Sequence, residues 1–365
     1  MYPLKEGLTY AYNQWYVAGW SHEFSRNLME RSILGESLVF YRTQDGLPVA
    51  LRNQCPHRGF PLAKSHLDGD AIECAYHGLT FDGTGKCVRV PSQPQIPATF
   101  KVQSYPVQER WQWVWIWMGD PTLADPALIP DVRWLKAEEP GWRASVGGTL
   151  DLKARYMLPH ENLLDLSHLT YLHNRNIGSR GVAATKVEFE VTSGRMDLWR
   201  DVRSDEFENA PLGKLLGVKG LVDRRMEQQF FPPNLHVTGP AFSSAMEGGI
   251  DPGRPFGGFR VLHAITPASE HRTHYFWGFC RDFALQDEAL DETMRKFLEG
   301  VALEDVEASE EIERLLQADG GRSTEISCIA DAPGIRGRRM MQELIQKDPP
   351  RRPVDKATSV TTSTS

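Results

Sequence analysis

Between about residues 35 and 118, apolar and polar positions alternate in short runs separated by turn signals, the pattern of β-structure. In ESLVFYRTQDGLPVALRN two apolar runs flank Asp45-Gly46, and in AIECAYHGLTFDGTGKCVRV the arrangement recurs around Asp82-Gly83, so each segment reads as a hairpin. WQWVWIWMGD sets Trp111, Trp113, Trp115 and Trp117 on one face of a strand and Val114 and Ile116 on the other. Because the alternate positions are apolar too, burial on both faces is expected rather than an aromatic binding platform. The Pro- and Asp-rich stretch DPTLADPALIPDVRW then marks a boundary. Beyond it the pattern predicts a helix from His160 to about His173 and strands in KVEFEVTSGRMDLWRDV, NLHVTGPAF, GGFRVLHAITP and THYFWGFCRDF. A long helical pattern runs from about Leu285 to Leu316. The expected fold is α+β: a β-rich domain over 1–125, an α+β domain over 126–346, and a disordered Pro-, Arg-, Ser- and Thr-rich tail over 347–365.

Composition narrows the function classes. The formal charge of −7 gives no support to a nucleic-acid or anionic-membrane surface. No window approaches the roughly 18 uninterrupted apolar residues that a membrane helix needs, and MYPLKEGLTYAYNQWYVAGW lacks the apolar core of an export signal, so a cytoplasmic protein is expected. Five cysteines, an odd and sparse number, point away from a disulfide framework. No GxGxxG or GxxxxGK[ST] fingerprint is present, hence no nucleotide or flavin site is expected.

Two pairs of residues carry metal chemistry. Cys55-Pro-His57 and Cys74-Ala-Tyr-His77 each place a thiol and an imidazole in one hairpin loop, followed by Gly59 or Gly78. A structural zinc site is the first alternative. Zinc fingers, however, put both cysteines in one knuckle and both histidines in the other, whereas each loop here contributes one of each. That interleaving suits a 2Fe–2S cluster with both thiolates on one iron and both histidines on the other. Cys87, Cys280 and Cys328 lie outside this set and read as buried or half-buried thiols.

A second constellation lies in HENLLDLSHLTYLH, with Asp165, His168 and His173. On an ideal helix the two histidines diverge by about 140°, so both reach one metal only if the helix bends or ends between them. Further along, Leu290, Met294, Phe297, Val301, Ala308, Ile312 and Leu315 form an apolar stripe at spacings of three and four, and Asp305 falls on it. A carboxylate facing a core is costly unless paired or metal-bound. Two histidines and one such carboxylate make the facial triad of non-haem Fe(II) oxygenases. Glu304, Glu307 and Glu310 fall off the stripe and read as a solvated face.

CPHRGFPL and CAYHGLTFDGTGKC resemble the cluster loops of the Rieske non-haem iron oxygenases. Respiratory-chain Rieske proteins carry an additional cysteine in each loop, where this chain has Phe60 and Tyr76, so the oxygenase type is the better match. The likeness runs from NQWYVAG to about Arg339 and is strongest toward the terminal oxygenase subunits that demethylate methoxy-aromatic acids, vanillate demethylase and dicamba monooxygenase among them. The resemblance implies an all-β Rieske domain followed by a helix-grip-like catalytic domain, with an antiparallel sheet and a long C-terminal helix. It implies a 2Fe–2S cluster on Cys55, His57, Cys74 and His77 and a mononuclear Fe(II) on His168, His173 and Asp305, with Asn162 near that iron. Asp165 would bridge to a Rieske histidine of the neighbouring subunit in a homotrimer; a helix-surface carboxylate is its plain alternative. Asn234 and His263 match positions that hold a substrate's polar groups, with His236 a weaker candidate and a core role the alternative for His263. Met226, Phe230, Phe231, Phe242 and Met246 are candidates for an apolar pocket.

The implied activity is hydroxylation of an aromatic compound with O2, as oxidative O- or N-dealkylation with aldehyde release; ring cis-dihydroxylation is the alternative. Electrons would come from a separate ferredoxin or NAD(P)H-dependent reductase, docked at Arg58, Lys64, Lys86 and Arg89 or, equally, not there at all if these are scattered surface charge.

Overall fold

The computed structural model describes residues 4, 9–131, 140–244, 258–320 and 325–348, the backbone alone for 240–244. Met246 and all of the tail from residue 349 lie outside the described residues, as does the side chain of Phe242.

The first half is β-structure. β1 (Gln14–Trp20) precedes the meander of β2 (Met29–Ile33), β3 (Glu36–Arg42) and β4 (Pro48–Arg52), and the hairpin at Asp45-Gly46 joins the last two as expected. The short strands β5 (His66–Asp68), β6 (Ala71–Glu73), β7 (Thr80–Phe81) and β8 (Cys87–Arg89) form a separate four-stranded sheet. β9 (Ser104–Tyr105) pairs with β4, while β10 (Val107–Arg110) and β1 flank β11 (Trp113–Met118).

Every residue of β11 is buried, which bears out the reading of its tryptophans as core. Trp111 is the exception, since it sits at positive φ in the turn before the strand. One face of the β1–β11 pair packs into the small domain through Tyr16, Val114, Ile116 and Met118. The other, with Trp15, Trp113, Trp115 and Trp117, packs on Leu235, Leu262 and Phe276 of the second half. The tryptophan row is therefore the joint between the two parts of the chain.

The second half is a seven-stranded antiparallel sheet in the order β12-β18-β17-β16-β15-β14-β13. Its strands are β12 (Arg143–Leu152), β13 (Glu188–Thr192), β14 (Arg195–Asp205), β15 (Val222–Phe231), β16 (Leu235–Ser244), β17 (Phe259–Ser269) and β18 (Arg272–Arg281). Helices α1 (Met157–Leu164), α2 (Arg180–Ala184), α3 (Pro211–Leu215), α4 (Glu288–Ala318) and α5 (Ala332–Lys347) complete it. The sheet and α4 share one large core with Met196, Phe230, Trp277, Met294 and Leu298. This is the all-β domain followed by an antiparallel sheet and long C-terminal helix that the resemblance implied, and 125/126 falls between β11 and β12.

Two expectations are corrected. The helix from His160 to His173 is broken: α1 ends at Leu164, Asp165 takes an extended conformation (φ −111°, ψ 90°), and Leu166–Thr170 forms a 3-10 turn. The stripe on α4 also turns differently beyond Asp305. Ser309, Glu313 and Leu316 are buried, whereas Ile312 and Leu315 are about half exposed at 47% and 56%. The cause is the buried ion pair of Glu313 with Arg155 (2.6 Å), which draws a charged position inward. Helix α5, beyond the predicted end of helical structure, packs on α1 so closely that a Cβ on Gly337 would lie 2.4 Å from Leu164 Cδ1.

Candidate metal centres and active-site cavity

The two Cys–His loops fold alike. Cys55 N–H donates to Phe60 O and Gly59 N–H to Cys55 O, and the second loop repeats this with Cys74, Leu79 and Gly78. Both turns close through a left-handed glycine, at φ +75° for Gly59 and +71° for Gly78. The result is two parallel loops with both thiols buried and both imidazoles exposed, the His57 and His77 rings 4.6 Å apart. Burial, and then the adjacent Cys74 thiol, push Cys55 up to about 11 against the hydrogen bonds its sulfur receives from the His57 and Arg58 backbone. A buried thiol with backbone donors at its sulfur, beside a second buried thiol, is adapted to a metal-bound thiolate, and the exposed imidazole pair leaves a second metal position at the surface. This donor set fits a cluster with one sulfur-ligated and one histidine-ligated iron.

In the second half, one ligand atom each from His168, His173 and Asp305 lie within 4.8 Å of one another. The break at Asp165 is what permits it. Asp165 Oδ1 accepts from Ser167 N–H (2.9 Å) to cap the 3-10 turn, and its backbone carbonyl accepts from His168 Nδ1, turning Nε2 toward Asp305 (3.5 Å). His173 Nδ1 donates to Glu304 Oε2 (2.5 Å), so its Nε2 also faces Asp305 Oδ1 (3.0 Å). Asn176 Nδ2 in turn donates to Glu304 Oε1 (2.8 Å) and Asn162 Nδ2 to Asp305 Oδ1 (3.0 Å). Burial alone would raise Asp305, but His173, His168 and Asn162 outweigh it and hold the carboxylate below its usual range. Burial depresses His168, whereas at His173 the hydrogen bond and charge of Asp305, with Glu304, overcome burial and raise it. Two imidazoles with Nδ1 tied off and Nε2 converging on one carboxylate fit a divalent iron with open positions.

Glu304, expected on a solvated face, thus belongs to the site; Glu310 is likewise engaged, accepting from Lys153 N–H (2.9 Å). The signal that would have found Glu304 is its place next to Asp305, within reach of the same histidine.

A cavity of about 100 Å³ opens on this triad. Its walls are mainly apolar, from α1, the sheet and α4, with Leu163, Met226, Phe259, Val261 and Val301 among them. His263 lines it, but both ring nitrogens are engaged: Nδ1 with Tyr275 OH (2.5 Å) and Nε2 with Thr238 Oγ1 (2.8 Å). Asn234, buried beside the Pro232-Pro233 turn, and His236, paired with His160 Nδ1 (2.7 Å), are not among the lining residues, nor are Phe230 and Phe231, because their side chains fill the core around the cavity. Arg224, the one arginine among the described residues of the wall, is paired with Asp205 (2.7 Å) and donates to Ser179 Oγ (2.9 Å).

Among the surface cations, Arg58, Lys64 and Lys86 are exposed, while Arg89 is ion-paired to Glu73. Of the thiols outside the cluster loops, Cys87 and Cys280 are buried as expected, but Cys328 is exposed where the chain enters α5.

Residues 14–106 match the family described as the Rieske [2Fe-2S] domain, and residues 152–347, more than half of the chain, match the Vanillate O-demethylase oxygenase C-terminal domain. The chain belongs to the Rieske non-haem iron oxygenases of the vanillate demethylase type. It is similar to the toluene-4-sulfonate monooxygenase system iron-sulfur subunit of Comamonas testosteroni (36% identity, covering 92% of this chain and 97% of the relative). A vanillate O-demethylase oxygenase subunit of a Pseudomonas species is 35% identical (91% and 94% covered). Among solved structures, dicamba monooxygenase bound to 3,6-dichlorosalicylic acid superposes with a TM-score of 0.85 at 32% identity, covering 94% of this chain and 100% of that one.

This Rieske oxygenase therefore uses a 2Fe–2S cluster and a mononuclear iron, and it works as the oxygenase component of a multi-component system. Among the described residues no helix is long and apolar enough to cross a membrane.

Proposed function

We propose that this oxygenase removes an alkyl group from oxygen or nitrogen of an aromatic compound by hydroxylating it. In this reading Cys55 and Cys74 hold one iron of the cluster and His57 and His77 the other, while His168, His173 and Asp305 hold the mononuclear iron. When bound, the cluster supplies electrons singly and the mononuclear iron activates oxygen. The observation that carries the reading is a mainly apolar cavity that ends on the His168–His173–Asp305 triad. For a methoxyarene the balance is ArOCH3 + O2 + 2e⁻ + 2H⁺ → ArOH + HCHO + H2O, the hydroxylated methyl collapsing to release formaldehyde.

The chain's own residues supply positioning. Glu304 and Asp165 orient the two histidines, Asn162 steadies Asp305, and the apolar wall excludes water. Asp165 keeps a carboxylate edge at the surface, with 31% of its side chain exposed and the Arg200 guanidinium 3.9 Å away. That exposure suits a bridge to a cluster histidine of a neighbouring subunit, itself exposed, in a homotrimer. Arg58, Lys64 and Lys86 beside the cluster loops suit an acidic ferredoxin or reductase as electron donor. Dependence on such a donor and cysteines that form no disulfide suit the cytoplasm.

The test is incubation of the enzyme, a reconstituted reductase and methoxy- or N-methyl aromatic compounds, with formaldehyde measured. A cis-diol retaining both oxygen atoms would overturn the reading. The toluene-4-sulfonate relative favours one second reading, hydroxylation of an aryl methyl carbon, whose product is an intact benzylic alcohol without aldehyde.

A further inference from the structure

We infer that Gln228 presents its amide oxygen to the substrate, so that this enzyme selects aromatic compounds carrying a hydrogen-bond donor, such as a phenolic hydroxyl or a secondary amide N–H. The inference rests on the cavity being the substrate site, as proposed above. Gln228 lies on β15 in the cavity wall and is 1% exposed. Most polar side chains of that wall have their partners within the protein, and Gln228 Oε1 has none among the described residues. Two other wall atoms lack a hydrogen bond: Arg224 Nε, which is ion-paired with Asp205 at 2.7 Å, and Trp277 Nε1, which lies against Gly148 of β12, where an added Cβ would be 3.3 Å from it.

The histidines behind the wall hold the nitrogen end of the amide. Gln228 Nε2 and His236 Nδ1 are 2.9 Å apart, and His236 Nε2 and His160 Nδ1 are 2.7 Å apart. An amide nitrogen only donates, so His236 accepts at Nδ1 and carries its own proton on Nε2. His236 then donates to His160 Nδ1, which leaves the His160 proton on Nε2, an atom without a hydrogen-bond partner among the described residues. Burial depresses both imidazoles, His160 to about 3 and His236 well below the usual imidazole range, so neither takes up a second proton that would break the order. With one N–H of its nitrogen on His236, the oxygen is the atom of the Gln228 amide left without any partner. A buried acceptor with no partner destabilises any complex that leaves it so.

The test pairs two probes that differ by one donor, 2-methoxyphenol and 1,2-dimethoxybenzene. Binding is measured by calorimetry on the full enzyme, and formaldehyde release is measured separately. The phenol should bind roughly 5- to 100-fold more tightly, the factor expected for one buried acceptor satisfied rather than orphaned. Gln228→Met, which keeps the volume and removes the amide, should abolish the difference. Equal binding of the pair, absence of binding by both included, or preference for the dimethoxy compound overturns the inference. Preferential binding of the phenol without formaldehyde release upholds it and overturns dealkylation instead. In histidine-15N-labelled enzyme, His236 and His160 should both show Nε2–H with Nδ1 bare; Nδ1–H at His236 would mean that the amide faces the other way.

Discussion

Removal of the Glu304 carboxylate tests the construction of the mononuclear site without touching a ligand. Glu304 Oε2 accepts from His173 Nδ1 (2.5 Å) and Oε1 from Asn176 Nδ2 (2.8 Å), so the carboxylate fixes both the tautomer and the plane of the ring. Such outer partners are worth about 10- to 100-fold in metal affinity, or about 1.4 to 2.7 kcal/mol. The side chain of Glu304 is 32% exposed, which lets water replace part of what is lost. Glu304→Ala is therefore expected near the lower end, an affinity loss of about 10- to 30-fold. Glu304→Gln keeps an oxygen that accepts from Nδ1 and should lose less. The assay is dialysis of the holoenzyme against chelators of graded strength, with iron per chain measured and the visible absorption of the cluster as the internal control for folding. An alanine variant that holds mononuclear iron as firmly as the parent would refute the argument. Loss of the cluster along with the iron would refute it too, since the change would then be in folding rather than in one ligand.

Asp305→Ala should abolish mononuclear iron and turnover while the cluster spectrum persists; an active variant would leave the chain as an electron carrier. Glu313→Gln should destabilise the catalytic half by about 2–3 kcal/mol, because it removes the charge that Glu313 sets against the buried Arg155 guanidinium. Burial raises the Glu313 carboxyl, but Arg155 and Gln317 outweigh it and hold it down at about 2. The contribution of the pair is thus full above the ordinary carboxylate range near 4.5 and is lost as pH falls toward 2; urea unfolding of parent and variant should converge over that window, and a constant gap would refute the assignment. Asn234→Ala should leave probe binding unchanged, since Asn234 is not part of the cavity wall, and a tenfold rise in KM would contradict its placement. Arg58→Glu and Lys64→Glu should slow electron entry at low salt and lose their effect at high salt, whereas Arg89→Ala, whose charge Glu73 already neutralises, should do little.

What the chain reveals before folding depends on how far apart the partners lie. Cys55 and His57, or Cys74 and His77, share one loop, and the local pattern alone exposes the pair. His168 and His173 are separated by only five positions, and the requirement that the helix break between them follows from helix geometry; the structure meets it at Asp165. Asp305 stood out because a carboxylate interrupts an apolar stripe. The same stripe misled about two turns later, where Glu313 occupies a buried position that a purely apolar pattern assigns to Ile312 or Leu315. Nothing near Glu313 in the chain announces Arg155, which lies 158 positions away. Glu304 was hidden likewise: its histidine is 131 positions distant, and a glutamate beside an amphipathic stripe ordinarily faces water. The substrate wall is the extreme case. Gln228 reads as an ordinary strand residue, and its meaning arises only where β15, β16 and α1 bring His236 and His160 into one line behind it. Metal ligands, which need strong local donors, are legible from short spacings; the groups that orient them and choose the substrate are set by tertiary contact, so it is Gln228 and Glu304, more than the ligands, whose exchange should change what this oxygenase does.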